Sequence, residues 1–398
     1  MKHLEKVVGF CDNPARYAVD TPSIKSFGHL AIDVGLISNR VDFPALDAVL
    51  MIQAAWVSKW YLKKKLPELF GWASNRQERF VFKNLVGEGL GVSGRQNEMI
   101  ELALTYGFHG IDVDMNDMVG RAIDVSPEFA CQYLLAAEKS LQVGAYELPI
   151  DFRADEEKFR ASLAKLVVFS DLSEKLNAKR AYINVPASSS LPFQENFEGY
   201  RLRIGEVAAE LDKIGIRIGL AFNATLEAEQ RFEHKFITTG EELLTLIKMV
   251  GASNVGLMLD TWHWHLGSGT IDQLKTLTGE QVISVRFADF PEGLVKSDAK
   301  LKSRLILQPE DNTFTVVVLR WLNEINYEGP LSSCPNSSQF GGMTREKIVQ
   351  RLSENLNDVL PIAGIDKAVT RPPIVSLDKE VLEAEYEDME DMTVEASA

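Results

Sequence analysis

From residue 84 onward, short runs of aliphatic and β-branched residues alternate with longer stretches in which apolar residues return at helical spacing. Eight short runs stand out: LGVS (90–93), IDVD (111–114), GAYEL (144–148), AYINV (181–185), RIGLAF (217–222), VGLMLD (255–260), VISVRF (282–287) and PLSSC (330–334). The stretches SPEFACQYLLAAEKSL, EEKFRASLAKLVVFSDLSEKL and GEELLTLIKMV, which fall between them, read as amphipathic helices. The first opens with Ser126 before Pro127, a capping residue followed by proline at the first helical position. Strands that alternate with helices predict a parallel sheet. Eight such units in about 280 residues predict an α/β fold, a (β/α)8 TIM barrel.

In a barrel, alternate strand residues face the interior and the others face the helices. Placing the aliphatic set outside turns one residue inward at the carboxyl end of each run. The resulting ring is Ser93, Asp114, Glu147, Asn184, Ala221, Asp260, Arg286 and Cys334. Active sites of this fold lie at that end. Runs six and seven are neighbours, so Arg286 is expected to pair with Asp260, whose burial without a cation would be costly. The sequence Asp260-Thr-Trp-His263-Trp-His265 follows run six. If extended, it turns both histidines one way and Trp262 and Trp264 the other. A carboxylate with a histidine three residues on suits metal ligation or proton transfer. It equally suits a hydrogen-bonded structural pair under an aromatic lid.

The flanks differ from this pattern. Residues 1–83 read as an extension whose segment from Asp42 to Leu66 has helical periodicity and ends in KWYLKKKLPELF. A helix packed on the barrel's exterior is the plain reading, and a membrane-surface helix is the alternative. The barrel is assigned to 84–365. Residues 366–398 read as a disordered tail, because nine acids and one lysine lie between Asp378 and Glu395 with little to bury. Net charge is −15, which excludes a non-specific grip on nucleic acid. Cys11, Cys131 and Cys334 are too scattered for a disulfide framework, which implies a reducing, cytoplasmic setting. The N-terminus has no long apolar core of a secretory signal. The apolar stretch 43–57 is too short, and too interrupted by Asp47 and Gln53, to span a bilayer.

NVGLMLDTWHWHLGSGT, VISVRFADFPEG and NEINYEGPLS closely resemble the sugar-phosphate isomerase/epimerase family with a xylose-isomerase-like barrel. The likeness continues through FKNLVGEGLGVSGRQNEMIELALTYGFHGIDVD, LPIDFRADEEKF, INVPASSSLPFQENFEGYRLRIGEVAAEL and GIRIGLAF, and covers about residues 82–365. The resemblance implies one divalent cation (manganese, magnesium, cobalt or zinc) bound by Glu, Asp, His and Glu after strands five to eight. Only Asp260 is kept. Ala221 stands in GLAF where GLEF is usual, Arg286 replaces the histidine, and Cys334 replaces the last glutamate. Alanine has no donor atom and arginine stays protonated, so metal binding is expected to be weak or absent. Asp260 and His263 are the catalytic candidates on this resemblance. Arg304 and His234 also match family positions near substrate, and together with Glu147, Asn184, Arg286 and Cys334 they are the candidates for substrate contact. Two functions follow: an isomerase or epimerase of a small sugar, sugar phosphate or polyol, or a degenerate barrel (a pseudoenzyme) that binds a metabolite or a protein partner. Neither calls for nucleic acid or membrane, and oligomerisation is compatible with both.

Overall fold

Residues 81–365 are described by the computed structural model. Expectations for the N-terminal extension and the acidic tail lie outside them. Eleven strands occur among these residues: β1 (Val81–Leu85), β2 (Gly110–Ile111), β3 (Gln142–Val143), β4 (Tyr146–Glu147), β5 (Arg180–Val185), β6 (Ser188–Ser189), β7 (Arg217–Phe222), β8 (His234–Lys235), β9 (Val255–Asp260), β10 (Val282–Phe287) and β11 (Gly329–Ser333). Nine of them form a parallel sheet in the order β3-β2-β1-β11-β10-β9-β7-β5-β4. The two ends of that ladder are consecutive in the chain. β3 pairs with β2 and β4 pairs with β5, with only Gly144 and Ala145 between them. They are halves of one broken strand, and through it the sheet closes into an eight-position barrel with helices outside. β6 and β8 make a separate antiparallel ribbon.

The long strands lie where aliphatic alternation is clean. β5, β7, β9 and β10 match their sequence runs to within a residue. Burial follows the parity argument. Ile218, Leu220, Leu257, Leu259 and Val285 join the large core between sheet and helices. Ala145, Tyr182, Ala221 and Met258 form a small, separate cluster, on the opposite strand parity and so inside the barrel.

Besides the broken strand, predicted as the single run GAYEL, two strands differ from expectation. The first is β1, not LGVS. Gly89 and Gly91 have φ of 78° and 72°, so that stretch turns rather than extends. Among the described residues the first barrel strand is thus Val81–Leu85, upstream of the LGVS run. VFKNL was hidden because its lysine and asparagine interrupt the apolar pattern. Both are nonetheless buried, and Lys83 Nζ donates to Ser353 Oγ and Asn357 Oδ1 of the helix Arg345–Ile362, each at 2.9 Å. The second run ends as strand at Ile111. Asp114 is not in the ring, because its side chain accepts from Asp117 N and caps the helix Met115–Asp124. The inward carboxylate is Asp112. The predicted Ser126 cap is present, accepting from Phe129 N with Pro127 following.

Candidate functional site at the barrel mouth

Asp260 ends β9 and begins the next helix, Thr261–Leu266. Its Oδ1 accepts from Trp262 N at 3.1 Å and His263 N at 3.2 Å. The Asp-Thr-Trp-His-Trp-His segment is thus helical, not extended, because the aspartate caps it. The two histidines consequently part. His263 faces the mouth, whereas His265 stacks on Phe290 with ring centroids 3.7 Å apart. Trp262 and Trp264 are fully buried.

The expected partner of Asp260 is wrong. Arg286 and Asp260 are in register on adjacent strands, but the Arg286 side chain crosses the barrel. Its Nη2 donates to Asp112 Oδ2 at 3.0 Å and to the Tyr182 hydroxyl at 3.1 Å, and the guanidinium lies 4.8 Å from the Tyr182 ring centre. Arg304 takes Asp260 instead, in a two-pronged pair. Nη1 reaches Oδ1 at 3.1 Å and Nη2 reaches Oδ2 at 2.8 Å. Arg304 Nε donates to the Cys334 carbonyl at 2.9 Å, and its guanidinium rests 5.4 Å from the Trp262 ring centre. The reason for the exchange is Asp112, a buried carboxylate absent from the predicted ring. Asn84 Nδ2 and the Ala145 amide also donate to it, at 2.7 and 2.8 Å. Two aspartates thus claim two arginines.

Burial works against the Asp260 carboxylate, yet Arg304 and His263 hold it down at about 2. Asp112 is raised by burial against the pull of Arg286. Burial lowers His263 to about 4, so its ring is neutral near pH 7. Its Nδ1 accepts from Ala224 N at 3.3 Å, which leaves the proton on Nε2. Burial pushes the Cys334 thiol up to about 12.

A cavity of about 890 Å³ opens at this end. Glu147, Asn184, Ala221, Asp260, His263, Arg286, Arg304 and Cys334 all line it. Asn184 Nδ2 donates to Glu147 Oε1 at 3.0 Å. Ser93, Asp114 and His234 do not line it. His234 lies in the β6–β8 ribbon, opposite Ser189. Sequence reasoning missed Asp112, Asn84 and Tyr182. Tyr182 was legible, since it shares the inward parity of Asn184. Asp112 was obscured because Asp114 offered a nearer carboxylate, although the D-x-x-D spacing of Asp114 and Asp117 at a helix start marked that residue as a cap.

The donor set does not fit a divalent ion. Ala221 and Arg286 supply no ligand atom, His263 has no free lone pair on Nε2, and burial makes the Cys334 thiol reluctant to give up its proton. Among the described residues no group of three His, Cys, Asp or Glu could hold a metal.

Several solved structures share this architecture. A xylose isomerase domain protein from Alicyclobacillus acidocaldarius is 22% identical, with a TM-score of 0.64 over 72% of this chain and 100% of that one. The IOLI protein with a bound zinc atom is 17% identical, with a TM-score of 0.59 over 70% of this chain and 98% of that one. D-psicose 3-epimerase in the presence of D-fructose is 16% identical, with a TM-score of 0.50 over 70% and 99%. No curated protein matches the sequence. At these identities the likeness speaks for the fold alone. The model of the xylose isomerase-like TIM barrel family matches residues 100–363, and the chain belongs to that family.

Proposed function

We propose that the barrel mouth binds a small polyhydroxylated molecule: a sugar, sugar phosphate or polyol. The observation that carries this reading is the mixed set of donors and acceptors on the cavity floor. His263 Nε2 offers a proton. Arg286 Nη1 has no closer partner among the described residues than Glu88 Oε2, at 4.0 Å. The Glu147 carboxylate and Asn184 amide lie across the floor as acceptors. A ligand rich in hydroxyl groups needs both kinds of partner, and a cavity of this size suits it. The D-fructose in the D-psicose 3-epimerase structure, which shares this fold, suggests the ketose to test.

Binding without interconversion is the better-supported form of this reading. Moving a proton beside a sugar carbonyl requires an acid and a base at the reacting carbon and a group that polarises the oxygen. Ala221 and Cys334 stand where the resemblance places two carboxylates, and Asp260 is committed to Arg304. The two free cysteines among the described residues, both buried, fit a reducing cytoplasmic setting. The test is calorimetric titration of the full chain with D-fructose and D-psicose, together with a chromatographic assay of their interconversion. Saturable binding that Asn184→Ala weakens, without turnover in the presence or absence of manganese, is the expected result. Interconversion above the uncatalysed rate would restore the isomerase, and no binding of either ketose, or of D-fructose 6-phosphate titrated in the same way, would reject the ligand class.

A further inference from the structure

Arg304 is built into the mouth on every side. It is 8% exposed. Its Nε is held by the Cys334 carbonyl, its face lies on Trp262, and its own carbonyl accepts from Asn336 N at 3.0 Å. One N–H from each of Nη1 and Nη2 meets an oxygen of Asp260. Those oxygens also cap a helix, so Oδ1 accepts three hydrogen bonds in all. A divalent ion arriving here would have to displace a two-pronged guanidinium from the one carboxylate left at the four positions. It would also meet the second fixed charge, Arg286, on the neighbouring strand.

We propose that Arg304 is the resident cation of this mouth, a tethered guanidinium in the place of a divalent ion, so that the barrel meets its ligand without metal. The ligand-binding reading can fail while this one stands, because the probe here is manganese alone. Arg304 sits after β10 and outside the four positions, so restoring the missing ligands should not be enough to admit a metal. The lock on Asp260 must also be released.

The experiment titrates manganese(II) into the full chain and follows the free ion by electron paramagnetic resonance. Four proteins are compared: the wild type, the D112N variant, the A221E/R286H/C334E variant in a D112N background, and the same with Arg304→Gln. The D112N background prevents Asp112 from being left buried without its guanidinium. Wild type, D112N and the three-position reversion are expected to leave micromolar manganese free. Adding Arg304→Gln is expected to tighten binding at least about tenfold. Stoichiometric micromolar binding by the wild type overturns the proposal. So does a reversion that binds equally well with Arg304 present, or a folded R304Q reversion that still leaves the metal free. Should the multiple variants not fold, the wild type alone decides. Its melting temperature should be the same in excess manganese and in chelator, and a rise of several degrees with manganese would refute the resident guanidinium.

Discussion

Asp260 joins three functions at one side chain: it ends a strand, caps a helix and anchors Arg304. Removing one partner of such a buried pair leaves an uncompensated charge and costs about 3–5 kcal/mol. The aspartate itself was legible, because strand parity turned it inward. Its partner was not, because Arg304 belongs to an irregular segment between β10 and β11 with no periodicity to reveal where it points. His263 has its own signature at this scale. Its folded pKa is lowered to about 4 from 6.5. The unfolded chain therefore takes up the proton first, between those two values. The stability due to a neutral His263 is complete above about pH 6.5 and is lost as pH falls towards 4. The ring is partly open to the mouth, so the loss is about 2–3 kcal/mol at most. His263→Gln cannot titrate, and urea unfolding across this range should show a flatter pH profile for it than for the wild type. Parallel profiles would mean that the imidazole is not held neutral.

Among the elements, the broken strand β3–β4 shows what the sequence conceals. GAYEL looked like one run, but the ladder breaks after Gly144: Gly144 N still donates to the Ile111 carbonyl, whereas the Ala145 amide turns to the Asp112 side chain. A Cβ at Gly144 would lie 2.0 Å from Asn84 Oδ1 and 2.5 Å from Asn84 Cγ. Asn84 cannot retreat without giving up its hydrogen bonds to Asp112 and Ser332. Gly199, inside the helix Phe193–Asp212, has nothing within 4 Å of the same added atom. One substitution should thus have opposite signs at the two positions. Gly144→Ala is expected to destabilise by about 2–4 kcal/mol through overpacking and broken hydrogen bonds. Gly199→Ala should stabilise by about 0.5–1 kcal/mol through helix propensity. Chemical denaturation of both variants measures the difference. A neutral G144A would show that the barrel interior yields there. Strands with uninterrupted aliphatic alternation, β5, β7, β9 and β10, were readable almost to the residue. β1 was not, because Lys83 breaks its outward set and is satisfied by bonds to Ser353 and Asn357 of the outer helix; nor was the broken strand, where the close approach of Gly144 to Asn84 selects residues by shape and hydrogen bonding rather than by hydrophobicity.

At the scale of the described barrel, the closed sheet is lopsided. β1, β5, β7, β9, β10 and β11 each have five or six residues, while β2, β3 and β4 have two each. The seam from Gly110 to Glu147 is held by few ladder bonds, such as Gly144 N to the Ile111 carbonyl at 2.9 Å and Gln142 N to the His109 carbonyl at 2.9 Å. Side chains supply part of the closure instead. Asp112 sits at the end of the seam and draws in Asn84 of β1, the Ala145 amide and Arg286 of β10. Arg286 also reaches Tyr182 of β5, on the far side of the seam. This polar brace spans the short strands much as a ladder would, and it explains why the barrel interior holds Asp112 and Arg286 where a purely structural barrel would hold aliphatic layers. Local opening follows the weakest pairing. Native-state hydrogen exchange should therefore find the amides of Ile183, Leu220, Leu257 and Val285 protected up to the global unfolding free energy. Those of Gln142 and Gly144 should exchange through a lower-energy local opening. Arg286→Met in an Asp112→Asn background removes the brace while keeping the charge balanced, and it should lower protection at the seam without lowering it at β7 and β9 to the same extent. A uniform loss of protection around the whole barrel would show that the seam opens only when everything else does, and that the brace contributes to overall stability rather than to closure.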